Sequence, residues 1–435
     1  MRVASFFAVI CSVVLSGTAG LATSHTAVVD STTGAPRGRA KQRIIKLGFL
    51  TSLTGVGSVG GVDMLQGIRL YLSENGNRLG GHPVELIVED DESNASVAAL
   101  KLKKLVTIDK IDMLDGVQLS SVGYAIAPFV ERYHLPAIYS VCCGDDLTQR
   151  GKFNWIVRSN ATCSQPSHAL GQWVYKHLHY KKVVTVAMDY PYGYESVGGF
   201  QNTFEGEGGQ VVQKIWIPLG ITDFSPWIKH IDRTADAIYL VAIQRAASVL
   251  PKQLRGAGIT LPVIAGGGSF DETVLPKLGD ECLNSISASV YSAVLERKQN
   301  QRFGADFRTL YHHDPSLYSA TSYSSVMWID KALTKIKGDV EDRTAVMDAL
   351  RSLRCEDDPR GPVFLDRFGN PVENVYIRRV ERVHGKLQNT VIDTIPAVSQ
   401  FWSYQPSTFL KQPAYGRTYP PCRFCTHRPG APGTD

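Results

Sequence analysis

Two adjacent cysteines, Cys142 and Cys143, follow an apolar run and precede Gly144. A thiol becomes a nucleophile when a base activates it and nearby donors stabilise an oxyanion. His168 is a candidate base, but base and oxyanion site cannot both be assembled from the sequence, so no catalysis is expected. The plainer chemistry is a disulfide from Cys142 or Cys143 to Cys163. Cys422-Arg423-Phe424-Cys425 with His427 has half the ligands of a metal site. Structural zinc takes four ligands, and no second cluster lies near, so a terminal disulfide or loose thiols are expected there. Cys282 and Cys355 form a further candidate pair, and His312-His313 suits a solvated helix end. Gly266-Gly267-Gly268 lacks both the spacing and the following Lys of a phosphate loop. Neither metal nor cofactor is expected.

Other polar residues recur at the ends of apolar runs, and the elements that would position them can be read from the same pattern. Strands are expected at Ile44–Leu50, Val84–Glu89, Ile111–Gly116 and Pro136–Tyr139. Helices between them fall at Asp63–Asn75, Ser93–Thr107 (with Ser93 as cap) and Ser121–Tyr133. A second series follows. Helices at Ser167–His179, Glu195–Glu207, Asp223–Arg233 and Ala246–Ala257 alternate with strands at Val183–Met188, Val211–Ile217, Ala237–Val241 and Val263–Ala265. Two such series imply an α/β fold with two parallel, doubly wound sheets. A third block adds helices at Gln301–His312, Tyr323–Lys337 and Thr344–Leu353. The last strands are Val363–Asp366, Val375–Arg382 and Thr390–Ile395, with turns at Gly369-Asn370 and His384-Gly385.

Ligands of open parallel sheets sit beyond the carboxyl ends of the strands. In the first series those ends carry Thr51–Gly55, Gly116–Ser121 and Ser140–Gly144: small hydroxyls and bare backbone. In the second they carry Asp189–Tyr194, Ile243–Arg245 and Gly266–Phe270: aromatics and glycines. Hydroxyls and helix N-terminal amides suit a carboxylate, and tyrosines suit an apolar or aromatic body. The same residue types also serve as ordinary caps and turns. Tyr190, Tyr192 and Tyr194 alternate in a Pro/Gly loop. Tyr192 is the one expected to cover a ligand.

The chain has 435 residues, 43% hydrophobic and 20% charged, enough for a large core in more than one domain. Part of its +5 net charge sits at Arg37, Arg39, Lys41 and Arg43. No basic stripe with interleaved aromatics follows, which argues against a nucleic-acid partner. Arg2, the apolar run Phe6–Leu15 and the small residues Gly17–Ala22 form a secretory signal, expected over residues 1–22. Cys11 lies inside it, after Ile10, which disfavours a lipid anchor. Removing Cys11 leaves seven of eight cysteines, so one thiol is free or one pair is missing. Residues 23–42, rich in Ser, Thr, Gly, Pro and Arg, read as a disordered leader.

Taken in order, Ile45–Gly48 leading to Leu53-Thr54-Gly55, Asp63-Met64…Gly67, Gly116…Ser120-Ser121 and Ile138–Ser140…Leu147–Gly151 make a pattern. Tyr192-Gly193, Tyr323–Val326 and Gly361–Asp366…Gly369 extend it. From Ile44 to about Trp402 it resembles the type I periplasmic solute-binding proteins of ABC transporters, in the leucine/isoleucine/valine-binding branch. The resemblance implies two Rossmann-like lobes with parallel sheets, joined by three hinge crossovers. One lobe would be residues 43–160 with 291–370 and the other 161–290 with 371–402. Residues 403–435 would form an extended tail. It also implies an exported, monomeric protein of the periplasm that is not an enzyme. Its lobes would close on a small organic carboxylate, aromatic or not, or on a branched-chain amino acid. The closed form would meet an ABC permease in the inner membrane, or alternatively a membrane receptor for which the protein is a sensing subunit. The contacts implied are Thr54, Ser120, Ser140, Cys142, Cys143, Gly144, Tyr192, Gln244, Gly268, Ser269 and Tyr318. The chain departs from the branch in four ways. The Gly268 loop carries no acid before Asp271, where amino-acid binders hold the ligand ammonium. Gly61 replaces an aromatic, Cys142-Cys143 replaces a small-residue pair, and Leu119 removes one half of the usual first-lobe disulfide. A buried ammonium without a carboxylate is costly, so these departures favour an organic acid.

Overall fold

The computed structural model describes residues 43–425. The expected signal (1–22, with Cys11), the leader (23–42) and His427 lie outside the described residues. The first lobe is built on strands β1 (Ile45–Thr51), β2 (Arg78–Leu79), β3 (His82–Asp90), β4 (Met113–Gly116), β5 (Ala137–Tyr139) and β6 (Ile156–Arg158). They lie in the order β2-β3-β1-β4-β5-β6. All neighbours are parallel except the β2–β3 hairpin. Helices α1 (Ser58–Glu74), α2 (Ala95–Lys104) and α3 (Ser120–Arg132) make the crossovers. The continuous apolar run of β1 is what a strand covered on both faces requires, and Leu47, Phe49 and Leu50 are fully buried.

The second lobe begins with α4 (Ser164–Trp173) and continues through β7 (Lys182–Met188), α5 (Pro191–Gly206), β8 (Gln210–Ile217) and α6 (Ser225–Ile228). β9 (Ala237–Val241), α7 (Gln244–Gly256), β10 (Val263–Gly266) and β11 (Ile286–Ser289) complete it. The chain then returns to the first lobe with α8 (Lys298–Tyr311), α9 (Leu317–Lys335) and α10 (Arg343–Arg351). α9 lies so close along α1 that a side chain at Gly67 would meet the Ser319 carbonyl at 2.2 Å. The last strands are β12 (Arg354–Cys355), β13 (Val363–Leu365), β14 (Pro371–Val383) and β15 (Lys386–Val398).

The second sheet has the expected parallel core and carries antiparallel strands at one edge. It has nine strands, ordered β12-β13-β14-β11-β10-β9-β7-β8, with β15 on β14. β7 to β11 are parallel, whereas β12 to β15 add antiparallel pairs. β12 and β13 hydrogen-bond into this sheet, while Cys355, Val363 and Leu365 pack in the first lobe's core. They therefore belong to the hinge as much as to either lobe. Buried amides hold that hinge. Gln165 Nε2 donates to the carbonyls of Pro371 (3.0 Å) and Val398 (2.7 Å), and Asn370 Nδ2 donates to Gln165 Oε1 (2.9 Å).

Several boundaries move. α1 starts at Ser58, five residues before the expected Asp63, through a glycine-rich turn that lies against the β1 end. A Cβ on Gly61 would sit 1.8 Å from the Ser52 carbonyl oxygen. Asn94, not Ser93, caps α2 by accepting from the Ser96 and Val97 amides. The expected helix at 223–233 shrinks to the single turn α6. β14 and β15 run much longer than expected. They meet at His384-Gly385, both with positive φ (49° and 81°), the geometry of a tight two-residue hairpin. The tail forms α11 (Pro406–Phe409) and then packs on α4 and α5. Tyr415 Oη bonds His168 Nε2 at 2.9 Å, and Lys214 Nζ donates to the Pro420 carbonyl at 2.5 Å. Among the described residues, no helix is long and apolar enough to cross a membrane.

Cysteine pairing follows from side-chain direction. Successive side chains on extended backbone point to opposite sides. Cys142 enters the core and Cys143 faces away, bonded to Cys163; Cys422 bonds Cys425. The proposed Cys282–Cys355 pair does not form. Cys282 is buried with the apolar residues around α7 and β10, Cys355 in the first lobe's core, and both are free thiols.

Candidate functional site

Parallel strands carry each following helix's N-terminus to the same edge of the sheet, and the two lobes turn those edges toward each other. α3 opens there at Ser120, α5 at Pro191-Tyr192, α7 at Gln244 and α9 at Leu317-Tyr318. Between them lies a cavity of about 60 Å³. Its first-lobe wall is Gln118, Leu119, Ser120, Val141, Cys143, Asn160, Leu317 and Tyr318; its second-lobe wall is Tyr190, Tyr192, Ile243 and Gly268. None of these side chains is charged.

Local structure explains each placement. Leu119 stands at the N-cap of α3 and supplies no capping side chain, so the first amides of α3 keep no side-chain acceptor. Ser120 is buried at that first turn, with its Oγ 3.6 Å from the sulfurs of Cys143 and Cys163. Pro191 at the first position of α5 fixes the turn that carries Tyr190 and Tyr192. The Gly268 amide donates to Tyr192 Oη at 3.4 Å. Ser316 caps α9 in a capping box with Ser319, which sets Tyr318 over the cavity. Burial drives the phenol pKa values of Tyr190 and Tyr318 well above the ordinary range, so both rings are neutral.

Contacts between lobes enclose the cavity. Gln244 accepts from the Val59 amide (3.1 Å) and donates to the Gly57 carbonyl (3.0 Å). Tyr124 Oη donates to Glu195 Oε1 (2.5 Å), and the Asp145 amide donates to Glu195 Oε2 (3.0 Å). The Leu317 amide donates to Asp271 Oδ2 (3.1 Å). Gln244 holds a left-handed backbone (φ 50°) to make its two bonds. The lobes are closed.

Asp271 is the acid nearest the Gly268 loop, and it is already engaged. It is fully buried and accepts from the Thr273 amide and hydroxyl as well as from Leu317. Burial pushes its pKa up. It does not line the cavity.

Of the eleven residues expected from the sequence, the structure brings Ser120, Cys143, Tyr192, Gly268 and Tyr318 to the cavity. Gln244 instead ties the lobes at the cleft mouth. The other five do not line the cavity. Thr54 is an exposed turn residue bonded to Asp90 (2.7 Å). Ser140 Oγ donates to the Gly116 carbonyl (3.1 Å), and Cys142 is buried beneath Gly123. Gly144 packs against the Tyr124 ring, and Ser269 Oγ accepts from the Ala242 amide (3.0 Å), knitting two strand ends together. Sequence reasoning missed Asn160 and Leu317 and passed over Gln118 and Tyr190, which lay in loops it had singled out. Proximity to Ser120, Tyr192 and Tyr318 was the available signal for all but Asn160.

The Cys–His pair weighed for catalysis is not assembled. Cys143 is in a disulfide, and burial raises the Cys142 thiol to about 11. His168 lies under the tail among Tyr404, Phe409 and Tyr415, with its pKa lowered to about 3 by burial. A larger hollow of about 410 Å³ lies beside that tail. Its Arg150 guanidinium is already bonded to Asp146 and to the Phe409 and Gln412 carbonyls.

Two lobes, strands that end at a shared cleft, and a cavity walled from both sides define a two-lobed α/β protein of the solute-binding class. The chain belongs to the periplasmic binding protein family, whose pattern matches residues 44–386. A relative in Brucella suis called Leu/Ile/Val-binding protein homolog 6 is 24% identical over 363 residues, which are 81% of this chain and 91% of the relative. An ABC transporter substrate-binding protein from Sphaerobacter thermophilus is 28% identical, with a TM-score of 0.78 over 82% of this chain and 99% of its own. A solute-binding protein of an ABC transporter from Rhodopseudomonas palustris BisB5, solved in complex with 3,4-dihydroxybenzoic acid, is 27% identical. Its TM-score is also 0.78, over 82% of this chain and 98% of its own.

Proposed function

We propose that this protein is the substrate-binding component of an ABC importer and that its cleft closes on a small aromatic carboxylate. The observation that carries the reading is the uncharged cavity walled by three tyrosines and by the uncapped start of α3. Orphaned amides at a helix N-terminus and the Ser120 hydroxyl suit a carboxylate. The rings of Tyr190, Tyr192 and Tyr318 suit a flat apolar body. An amino-acid ligand would bring an ammonium, and no carboxylate lines the cavity to receive it, since Asp271 is engaged elsewhere. The aromatic acid in the Rhodopseudomonas palustris relative supports this choice over the branched-chain amino acids suggested by the Brucella name. Ligand contacts shared between both lobes would favour the closed form, which a membrane permease would then recognise in the periplasm.

Thermal unfolding with benzoate, hydroxybenzoates and leucine tests the reading. A ligand at one hundred times its Kd should stabilise the protein by about 2.7 kcal/mol. Stabilisation is expected from an aromatic acid and not from leucine; the reverse pattern would overturn it.

A further inference from the structure

Resting on the aromatic-carboxylate reading, we propose that Gln118 is the residue that recognises a hydroxyl on the ligand's ring, so that the cleft selects hydroxylated aromatic acids over benzoate itself. Gln118 is 5% exposed and lines the cavity, yet its side chain makes no hydrogen bond to any described residue, and Oε1 is buried with no partner. Most buried polar atoms in folded proteins are paired, and of the buried side-chain atoms left without a partner among the described residues, Gln118 Oε1 is the one that belongs to a cavity-lining residue. Other buried amides nearby obey that rule: Asn160 donates to the Val141 carbonyl (2.7 Å), and Gln244 makes the two bonds across the lobes.

The fold gives up something to place this amide. Val117 just before it adopts a left-handed backbone (φ 61°), which is rare and costly for a β-branched residue. Two bonds hold Val117 there: its amide donates to the Leu50 carbonyl (2.6 Å), and its carbonyl accepts from the Cys142 amide (2.8 Å). Glycines clear the space above. A side chain at Gly57 would come within 2.9 Å of Gln118 Oε1, and one at Gly60 within 2.5 Å of Nε2.

A primary amide presents an acceptor and a donor side by side. A carboxylate accepts only and would leave Oε1 bare. A ring hydroxyl can donate to Oε1 or accept from Nε2. Benzoate would bury Oε1 unpaired, and a site built to bond a hydroxyl rejects the analogue lacking one.

Isothermal titration of the full chain with benzoate, the three monohydroxybenzoates, 4-fluorobenzoate and leucine tests the proposal. At least one hydroxybenzoate should bind about tenfold or more tighter than benzoate, with the fluoro analogue matching benzoate. In Gln118→Leu and Gln118→Met that ratio should fall to within about twofold, with folding checked by thermal unfolding. Equal binding of benzoate and every hydroxybenzoate by the native protein overturns the proposal, as does a ratio that survives in a folded Gln118 variant. If leucine binds and no aromatic acid does, the aromatic-carboxylate reading fails as well, and the two failures are thereby told apart.

Discussion

The two walls of the cavity are held by different means. The first-lobe wall is fixed by bonds: the Cys143–Cys163 disulfide, the strained Val117 and the first turn of α3. The second-lobe wall is held mainly by packing, with the Tyr190 and Tyr192 rings 6.0 Å apart and tilted, and by one long bond from the Gly268 amide to Tyr192 Oη (3.4 Å). The contrast matches what each wall offers. Hydrogen bonds lose strength steeply with misalignment, so a wall that supplies a hydroxyl, an amide and helix N–H groups needs rigid placement. Apolar contact scales with area and has no direction, so a wall of rings can approach on a moving lobe and still gain its full contact. On the proposed reading, the first wall would set which ligand is read and the second how strongly it is covered.

The sharpest way to break this contrast is to remove the covalent part. Replacing Cys143 and Cys163 together by Ala opens a loop of 20 residues' separation. The expected cost is about 3 kcal/mol of stability. Urea unfolding reads that loss. Titration should show weaker ligand binding too, because Ser120 lies against both sulfurs. A double variant as stable and as tight as the native protein would mean that the first wall is held by packing like the second. Next in size is Tyr192→Ala on the moving wall, which removes a ring the ligand would cover. Affinity should fall by roughly 1–3 kcal/mol in titration, with little change in thermal stability without ligand. Unchanged affinity would remove Tyr192 from the site.

How far the sequence could be read follows the same division. The alternation of apolar runs with helical spacing located β1, β3 and β7 to β10 and most of the helices between them, the segment 223–233 excepted, because buried parallel strands are unbroken apolar stretches. It failed where tertiary contacts decide. The start of α1 was hidden by Gly57, Gly60 and Gly61, which look like a loop but are small so that the helix can lie on the β1 end. The tail looked extended because nothing local shows that Tyr415 will find His168, 247 residues away in sequence. At the site, strand ends were legible, and the family resemblance added Ser120, Tyr192 and Tyr318; the start of α9 was expected at Tyr323 and lies at Leu317. Which neighbour of each points inward was not legible. Cys143 rather than Cys142 faces the cleft, and Asn160 reaches it from the first crossover between the lobes. Side-chain direction at a strand end is set by one dihedral, such as that of Val117, and composition does not report it.

The smallest expected effect tests whether the walls act together. Gln244 does not line the cavity, although it lies beside Tyr318, which does; its amide joins α7 of the second lobe to the start of α1 in the first. Gln244→Ala removes two cross-lobe bonds that exist only when the lobes are closed. Each such bond is worth about 1 kcal/mol net. Opening the lobes hydrates both partners, which keeps the total near that figure. The loss falls on the closed state alone, so the ligand should leave several-fold faster while its rate of arrival changes little. Stopped-flow tyrosine or tryptophan fluorescence separates the two rates. A slower arrival with unchanged departure would place Gln244 in the encounter with the open form. The division between a reading wall and a covering wall would then need a third participant at the mouth of the cleft.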